Sequence, residues 1–243
     1  MSIPGYRPKL IASDLDGTIV PHDEPVSKRT VEAFQKAHRM GIEIFYVTGR
    51  PPRWMEDVKK DFGVGNAICA NGAILFDLMN LKVVEQWLLS EETQREIAEK
   101  LRKAIPGCHF AIEHGDEFFR EKLYNTKWDA GIDNIGVEFI EEKIDQPAFK
   151  MMVRHPDHTF TSDEMLERAL SAVGDICNPT HSNPYESHLE ISALGVSKGQ
   201  TLAKIAERAG IAAFTASGTK VAVAGQVSAV FSAEIFPAIA SAA

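Results

Sequence analysis

Two carboxylates spaced i and i+2 stand near the start of the chain, in Leu10-Ile11-Ala12-Ser13-Asp14-Leu15-Asp16-Gly17-Thr18. The apolar run before them reads as a buried strand. Gly17-Thr18 breaks that strand and turns the chain. In a strand, positions i and i+2 share a face, so Asp14 and Asp16 meet at the strand's C-terminal end. Open α/β sheets take their ligands there. Two crowded carboxylates repel unless a cation or a shared proton offsets the charge. The pattern is therefore either a polar turn, since Asp and Gly are common turn residues, or a charged site that needs such a partner.

The elements that position this pair follow from the spacing of apolar residues. Ser27 is placed to cap a helix carrying Val31, Phe34, Ala37 and Met40 at helical intervals, with Gly41 closing it. Residues 42–47 form an apolar strand ending in Thr48-Gly49-Arg50, and Pro51-Pro52 opens the next helix. Residues 67–70 give a third short strand before Asn71-Gly72-Ala73. Strands alternating with helices over short links predict a parallel sheet with right-handed crossovers, a Rossmann-like α/β core.

The pattern changes at about residue 81. A strand at 82–85, a charged helix at 91–104, strands at 108–112, 117–119, 137–140 and 148–153, a helix at 162–172 and strands at 175–177 and 187–191 predict an inserted α+β domain. It occupies residues 81–187, with 1–80 and 188–243 forming the core domain. Ser197 then caps a helix with Leu202, Ile205, Ala206 and Ala209 as its apolar stripe. Lys198 lies in its first turn, a poor place for a cation because a helix N-terminus is already partly positive. The placement is easier to understand if an anion binds there.

Composition bounds the alternatives. The 243 residues suffice for a core domain and a smaller one. A net charge of −8 leaves no basic excess with which to neutralise nucleic-acid or membrane phosphates. Cys69, Cys108 and Cys177 are far apart and fit no metal-binding spacing, so they read as reduced thiols in a cytoplasmic protein. No apolar run is long enough to span a bilayer. The eight histidines are scattered and read mostly as surface residues. His114, Asp116 and His181 read first as ordinary surface residues, with a functional face of the inserted domain as the alternative. Phe118, Phe119, Tyr124 and Trp128 read as its core.

Asp-x-Asp-Gly-Thr after an apolar strand, with Thr48-Gly49 after the second strand, Asn71-Gly72-Ala73 after the third, and the segment from Leu189 through Lys198 to Gly199, resembles the haloacid dehalogenase (HAD) superfamily. The match is to its Cof-type branch, which carries a mixed α/β cap between the second and third motifs. The resemblance covers residues from about 8 to 210. It implies a phosphatase using Mg²⁺ and acting on a small phosphorylated metabolite. Asp14 is then the nucleophile that forms an aspartyl-phosphate, and Asp16 the acid that protonates the leaving group and later activates water. Thr48, Gly49 and Lys198 hold the phosphoryl oxygens, Asn71 lies near the substrate phosphate, and Asp14 with Asp16 supplies metal ligands.

One part of the pattern is missing. The family's fourth motif, a Gly-Asp with a second Asp close behind, supplies the remaining Mg²⁺ ligands, yet no Asp follows Gly210 and Glu234 is the only acid there. The Ala-, Ser- and Val-rich tail reads as a replaced or frame-shifted terminus, with strand candidates at 220–224 and 227–231. The alternatives to a phosphatase are a HAD-like protein that binds a ligand or partner with little turnover, and a phosphomutase with the same cap.

Overall fold

A computed structural model describes residues 8–21, 24–124 and 135–211. The tail strand candidates and Trp128 lie outside the described residues. The described chain divides into two compact units, one running to Gln86 and resuming at Ser197, the other spanning Trp87–Val196.

The first unit is a five-stranded sheet in the order β1 (Leu10–Ser13), β2 (Glu43–Val47), β3 (Asn66–Cys69), β4 (Ile74–Asp77), β5 (Lys82–Gln86). β1, β2 and β3 are parallel, as the alternating pattern predicted, while β4 and β5 add antiparallel strands. The parallel strands are continuous apolar runs because both faces are covered. Tyr46 packs with Phe34 of α1 (Lys28–Arg39) and Phe62 of α2 (Met55–Phe62), at ring-centroid distances of 5.7 and 4.8 Å. Phe45 and Val47 join Leu10, Ala12 and Ile68 against Leu202 and Ile205 of a later helix, α5 (Lys198–Arg208). Ser27 and Ser197 cap α1 and α5 as expected, accepting from the Thr30 and Gln200 amides at 3.1 and 3.2 Å. The stripe of α5 differs at one position: Ala209 is exposed, and Thr201 is buried.

Both edges of the inserted section fall elsewhere than the sequence pattern placed them. β5 pairs with β4 and so belongs to the first sheet, not to a segment beginning at residue 81. The link between them is a tight turn in which Asp77 Oδ1 accepts from the Met79 and Asn80 amides and Leu81 sits at φ +51°. At the other end the core does not resume at residue 188. His188–Ala193 is a strand of the second sheet, since Leu189 and Ile191 feed the same apolar core as Met151 and Val153.

That second sheet is antiparallel, in the order β7 (Glu117–Arg120), β6 (His109–His114), β8 (Lys150–Arg154), β10 (His188–Ala193), β9 (Cys177–Thr180). Its apolar face packs under α3 (Glu91–Ala104) and α4 (Ser162–Val173). The strand expected at 137–140 does not form: Val137 makes a single bridge to Glu121, and Ile140–Lys143 is a 3-10 turn. Buried Glu121 is satisfied by the Phe110 and Ile140 amides at 3.2 and 2.9 Å and by Arg102, so its charge is paired and hydrogen-bonded.

The opposite face of this sheet is polar. Lys150 is buried against Glu190 at 2.8 Å, and Tyr124 Oη lies 3.1 Å from His188 Nε2. Burial pushes the His188 imidazole down to about 4, with Arg154 and Lys150 acting in the same direction against Glu190. His114 and His155 are buried and His188 is half-buried, so these three depart from the expectation of mostly surface histidines. His114 packs on Phe119, and His181 pairs with Asp163 at 2.8 Å. Tyr124 is in the core as expected, and Phe118 packs against it. The three cysteines are free and buried, and burial pushes the Cys108 and Cys177 thiols up to about 12. No helix among the described residues is long and apolar enough to cross a membrane.

Two predictions follow from packing and burial. Gly72 sits at φ +113°, and a Cβ there would lie 2.5 Å from the Ser197 backbone. Gly72→Ala is expected to destabilise the protein by about 2 kcal/mol or more, read as a lowered urea midpoint. His188 binds its proton less readily folded than unfolded, so its contribution to stability is complete above about pH 6.5 and is lost as pH falls through about 4. The loss is up to roughly 3 kcal/mol. His188→Gln should flatten this part of the stability–pH curve, and the wild-type imidazole should show no NMR titration between pH 5 and 8.

Candidate active site

The sheet register brings the candidate residues of the first unit to one edge. β1 and β2 pair from Leu10 with Glu43 to Ser13 with Tyr46, and β2 pairs with β3 up to Val47 with Ile68. The residues after these strands, Asp14-Leu15-Asp16, Thr48-Gly49-Arg50 and Ala70-Asn71-Gly72, therefore emerge together at the C-terminal ends.

The loops are stitched to one another by backbone hydrogen bonds. The Thr48 amide donates to Ile68 O at 2.9 Å, the Ala70 amide to Arg50 O at 2.9 Å and the Asn71 amide to Thr48 O at 3.0 Å. Ala70 and Asn71 both take left-handed backbone, at φ +49° and +58°, a cost that such a stitched turn can hold in place. A Cβ on Gly49 would lie 2.9 Å from Asn71 Oδ1, which explains glycine there: the Asn71 side chain occupies that space. Gly72 is the contact to α5. Its carbonyl accepts from buried Thr201 Oγ1 at 2.8 Å, and its α-carbon faces the Ser197 backbone. This close approach sets the start of α5, and with it Lys198, against the loop after β3.

Each carboxylate of the opening pair has a cation. Asp14 Oδ1 accepts from the Leu15 amide at 2.8 Å, and its Oδ2 lies 3.1 Å from Lys198 Nζ. Arg50 grips Asp16 through Nε, at 3.1 and 3.0 Å from the two carboxylate oxygens, and through Nη2, at 2.5 Å from Oδ1. The Asp16 side chain is 49% exposed and that of Arg50 21%, so this fork opens to solvent. Hydrogen bonding to Asp16 is the main cause that pushes the Arg50 guanidinium up, keeping it charged. Thr48 is fully buried, and its Oγ1 accepts from the Arg50 amide at 3.0 Å. That bond leaves the hydroxyl proton for another acceptor.

The residues expected to form the phosphate site, Asp14, Asp16, Thr48, Gly49, Asn71 and Lys198, belong to this one edge, whereas the further candidates His114, Asp116 and His181 lie in the second unit. Sequence reading did not single out Arg50 and Thr201. Arg50 carried a signal, a cation directly behind Thr48-Gly49 at the edge that holds two acids. Thr201 carried none beyond its place one turn after Lys198. As metal ligands, Asp14 and Asp16 stand without a third: among the described residues no group of three His, Cys, Asp or Glu side chains is placed to hold a metal ion. Mg²⁺ demands a near-octahedral oxygen shell. It usually meets that demand with one or two carboxylates, several waters and substrate phosphate oxygens, so Asp14 and Asp16 are the groups that would hold it.

Known proteins resemble this chain in sequence and in fold. A family profile described as haloacid dehalogenase-like hydrolase matches residues 11–215. A Bacillus subtilis 5-amino-6-(5-phospho-D-ribitylamino)uracil phosphatase is 25% identical over 203 residues, covering 83% of this chain and 72% of its own. Among solved structures, a Thermotoga maritima protein superposes with a TM-score of 0.65 at 22% identity, over 84% of this chain and 76% of that one. A HAD phosphatase from Bacteroides thetaiotaomicron does so with a TM-score of 0.68 at 19% identity, over 87% and 76%. A further neighbour, with a TM-score of 0.63 at 20% identity over 84% and 76%, is a HAD subclass IIB sugar phosphatase. The profile spans most of the chain and includes every residue of the edge just described, so the chain belongs to the haloacid dehalogenase-like hydrolase family.

Proposed function

We propose that the protein is a phosphatase of a small phosphorylated metabolite, with Asp14 as the group that accepts the phosphoryl. The observation that carries this reading is the Asp14–Lys198 pair at the end of β1, beside buried Thr48. A carboxylate nucleophile needs its approach to an anionic phosphate offset by positive charge, and Lys198 supplies it at the first residue of a helix whose dipole adds to it. The names of similar proteins, a phosphorylated pyrimidine phosphatase and a sugar phosphatase, support the same substrate class.

In the proposed reaction an Asp14 carboxylate oxygen bonds to phosphorus as the bond from phosphorus to the leaving oxygen breaks. For this step Asp16 carries a proton in place of its pairing with Arg50 and gives that proton to the leaving oxygen. It then takes one from the water that attacks phosphorus, releasing inorganic phosphate and restoring Asp14. Thr48 and Lys198 hold the non-bridging oxygens. Asn71 and Gly49 shape the adjoining wall.

HAD phosphatases generally use Mg²⁺. When bound, the ion supplies charge stabilisation of the transferring group. Here it would find Asp14 and Asp16 without further acidic ligands among the described residues, and no step is routed through it. That shortage favours a second reading, a HAD-like protein that binds phosphorylated ligands with little turnover.

Hydrolysis of para-nitrophenyl phosphate with Mg²⁺ separates the two. The phosphatase reading expects Asp14→Asn to lower the rate by on the order of a thousandfold. Equal rates in wild type and variant would reject it.

A further inference from the structure

We propose that the free edge of β5 is a self-complementary interface through which two copies of this chain associate, β5 pairing antiparallel with β5 of the second copy.

Four strands stand at sheet edges among the described residues: β1, β5, β7 and β9. Three of them are covered or blocked. β1 is buried along its whole length. The outer side of β7 takes Val137, whose amide donates to Arg120 O at 2.9 Å. β9 carries Pro179, which has no amide to give to a ladder. β5 has β4 on one side and no described strand on the other, and four of its five residues are exposed. Val83 is 39% and Val84 58% exposed, and exposed Met79 and Leu81 extend this apolar surface ahead of the strand. An open edge carrying β-branched apolar residues is a template for another strand.

The charges of β5 indicate which strand fits. Lys82 stands across from Asp77 and Glu85 across from Leu75, with a bulge between the two pairs. Leu75 and Asp77 are two residues apart and share a face, so Lys82 and Glu85 share it too, although three positions separate them. A second β5 laid antiparallel, about a twofold axis between Val83 and Val84, sets Lys82 opposite Glu85 twice and Val83 opposite Val84 twice. Opposite charges facing each other across a strand pair stabilise it, and like charges destabilise it. Glu85 is held in place by both terminal nitrogens of Arg208, and a carboxylate so bound keeps lone pairs for an ammonium. Lys82 makes no ion pair among the described residues. A bulge and a lysine blunt an edge against other chains. The acid three residues on makes this edge a fit for its own copy.

One strand pair is a small interface, so the expected dimer is weak, with a dissociation constant on the order of tens of micromolar. Sedimentation velocity of the full chain, at concentrations about tenfold below and above that constant, tests this. The expected mass rises from one chain to two. Lys82→Glu and Glu85→Lys each leave the edge with like charges, and each is expected to weaken self-association by about tenfold or more. Mixed in equal amounts, the two variants again offer opposite charges at both pairs and are expected to associate within about threefold of wild type. Circular dichroism confirms that both are folded. A single-chain mass at every concentration, a dimer unmoved by either substitution, or variants that stay apart on mixing would each overturn the inference.

Discussion

Two carboxylates cannot be crowded onto one strand end without a compensating charge, and the first unit is arranged around meeting that requirement. Asp14 and Asp16 are two residues apart, yet their partners come from far along the chain. Arg50 is 34 residues from Asp16, and Lys198 is 184 from Asp14. The parallel register of β1 and β2 brings Arg50 within reach. The return of the chain after the second unit, ending in the Ser197 cap and the close seat on Gly72, brings Lys198. Sheet, turn and helix cap thus converge on one electrostatic problem.

The same convergence explains where small residues are found. At Gly49 a side chain would strike Asn71, and at Gly72 it would strike the first turn of α5. Thr201 adds a buried hydrogen bond to the Gly72 carbonyl. Loops after three strands and the start of one helix are therefore a single packed object. Displacing any of them would move a charge relative to the carboxylates. Functional geometry and stability share these contacts, so a change at Gly72 should be felt in both.

Much of this was legible from local patterns. The apolar run ahead of Asp14, the serine caps of α1 and α5, and the helix at Glu91–Ala104 all declare themselves within a few residues. So do the positions of Asp14, Asp16, Thr48 and Lys198 at element ends. What local pattern did not reveal depends on pairing at a distance. The Arg50–Asp16 fork needs the β1–β2 register, and the alternation of Lys82–Gln86 and His188–Ala193 does not say which of two sheets each strand joins. The buried histidines were misjudged for a related reason. His114 is polar by type, but its burial follows from β6 lying between β7 and β8.

The account stands most directly on Asp14 as the phosphoryl acceptor. Acid-quenching the wild-type protein during turnover of a phosphate monoester, reducing it with borohydride and mapping its peptides by mass spectrometry would show this. An acyl phosphate on Asp14 is reduced to homoserine, so the account predicts homoserine at position 14. Phosphate release accompanied by unmodified Asp14 under the same quench would contradict it.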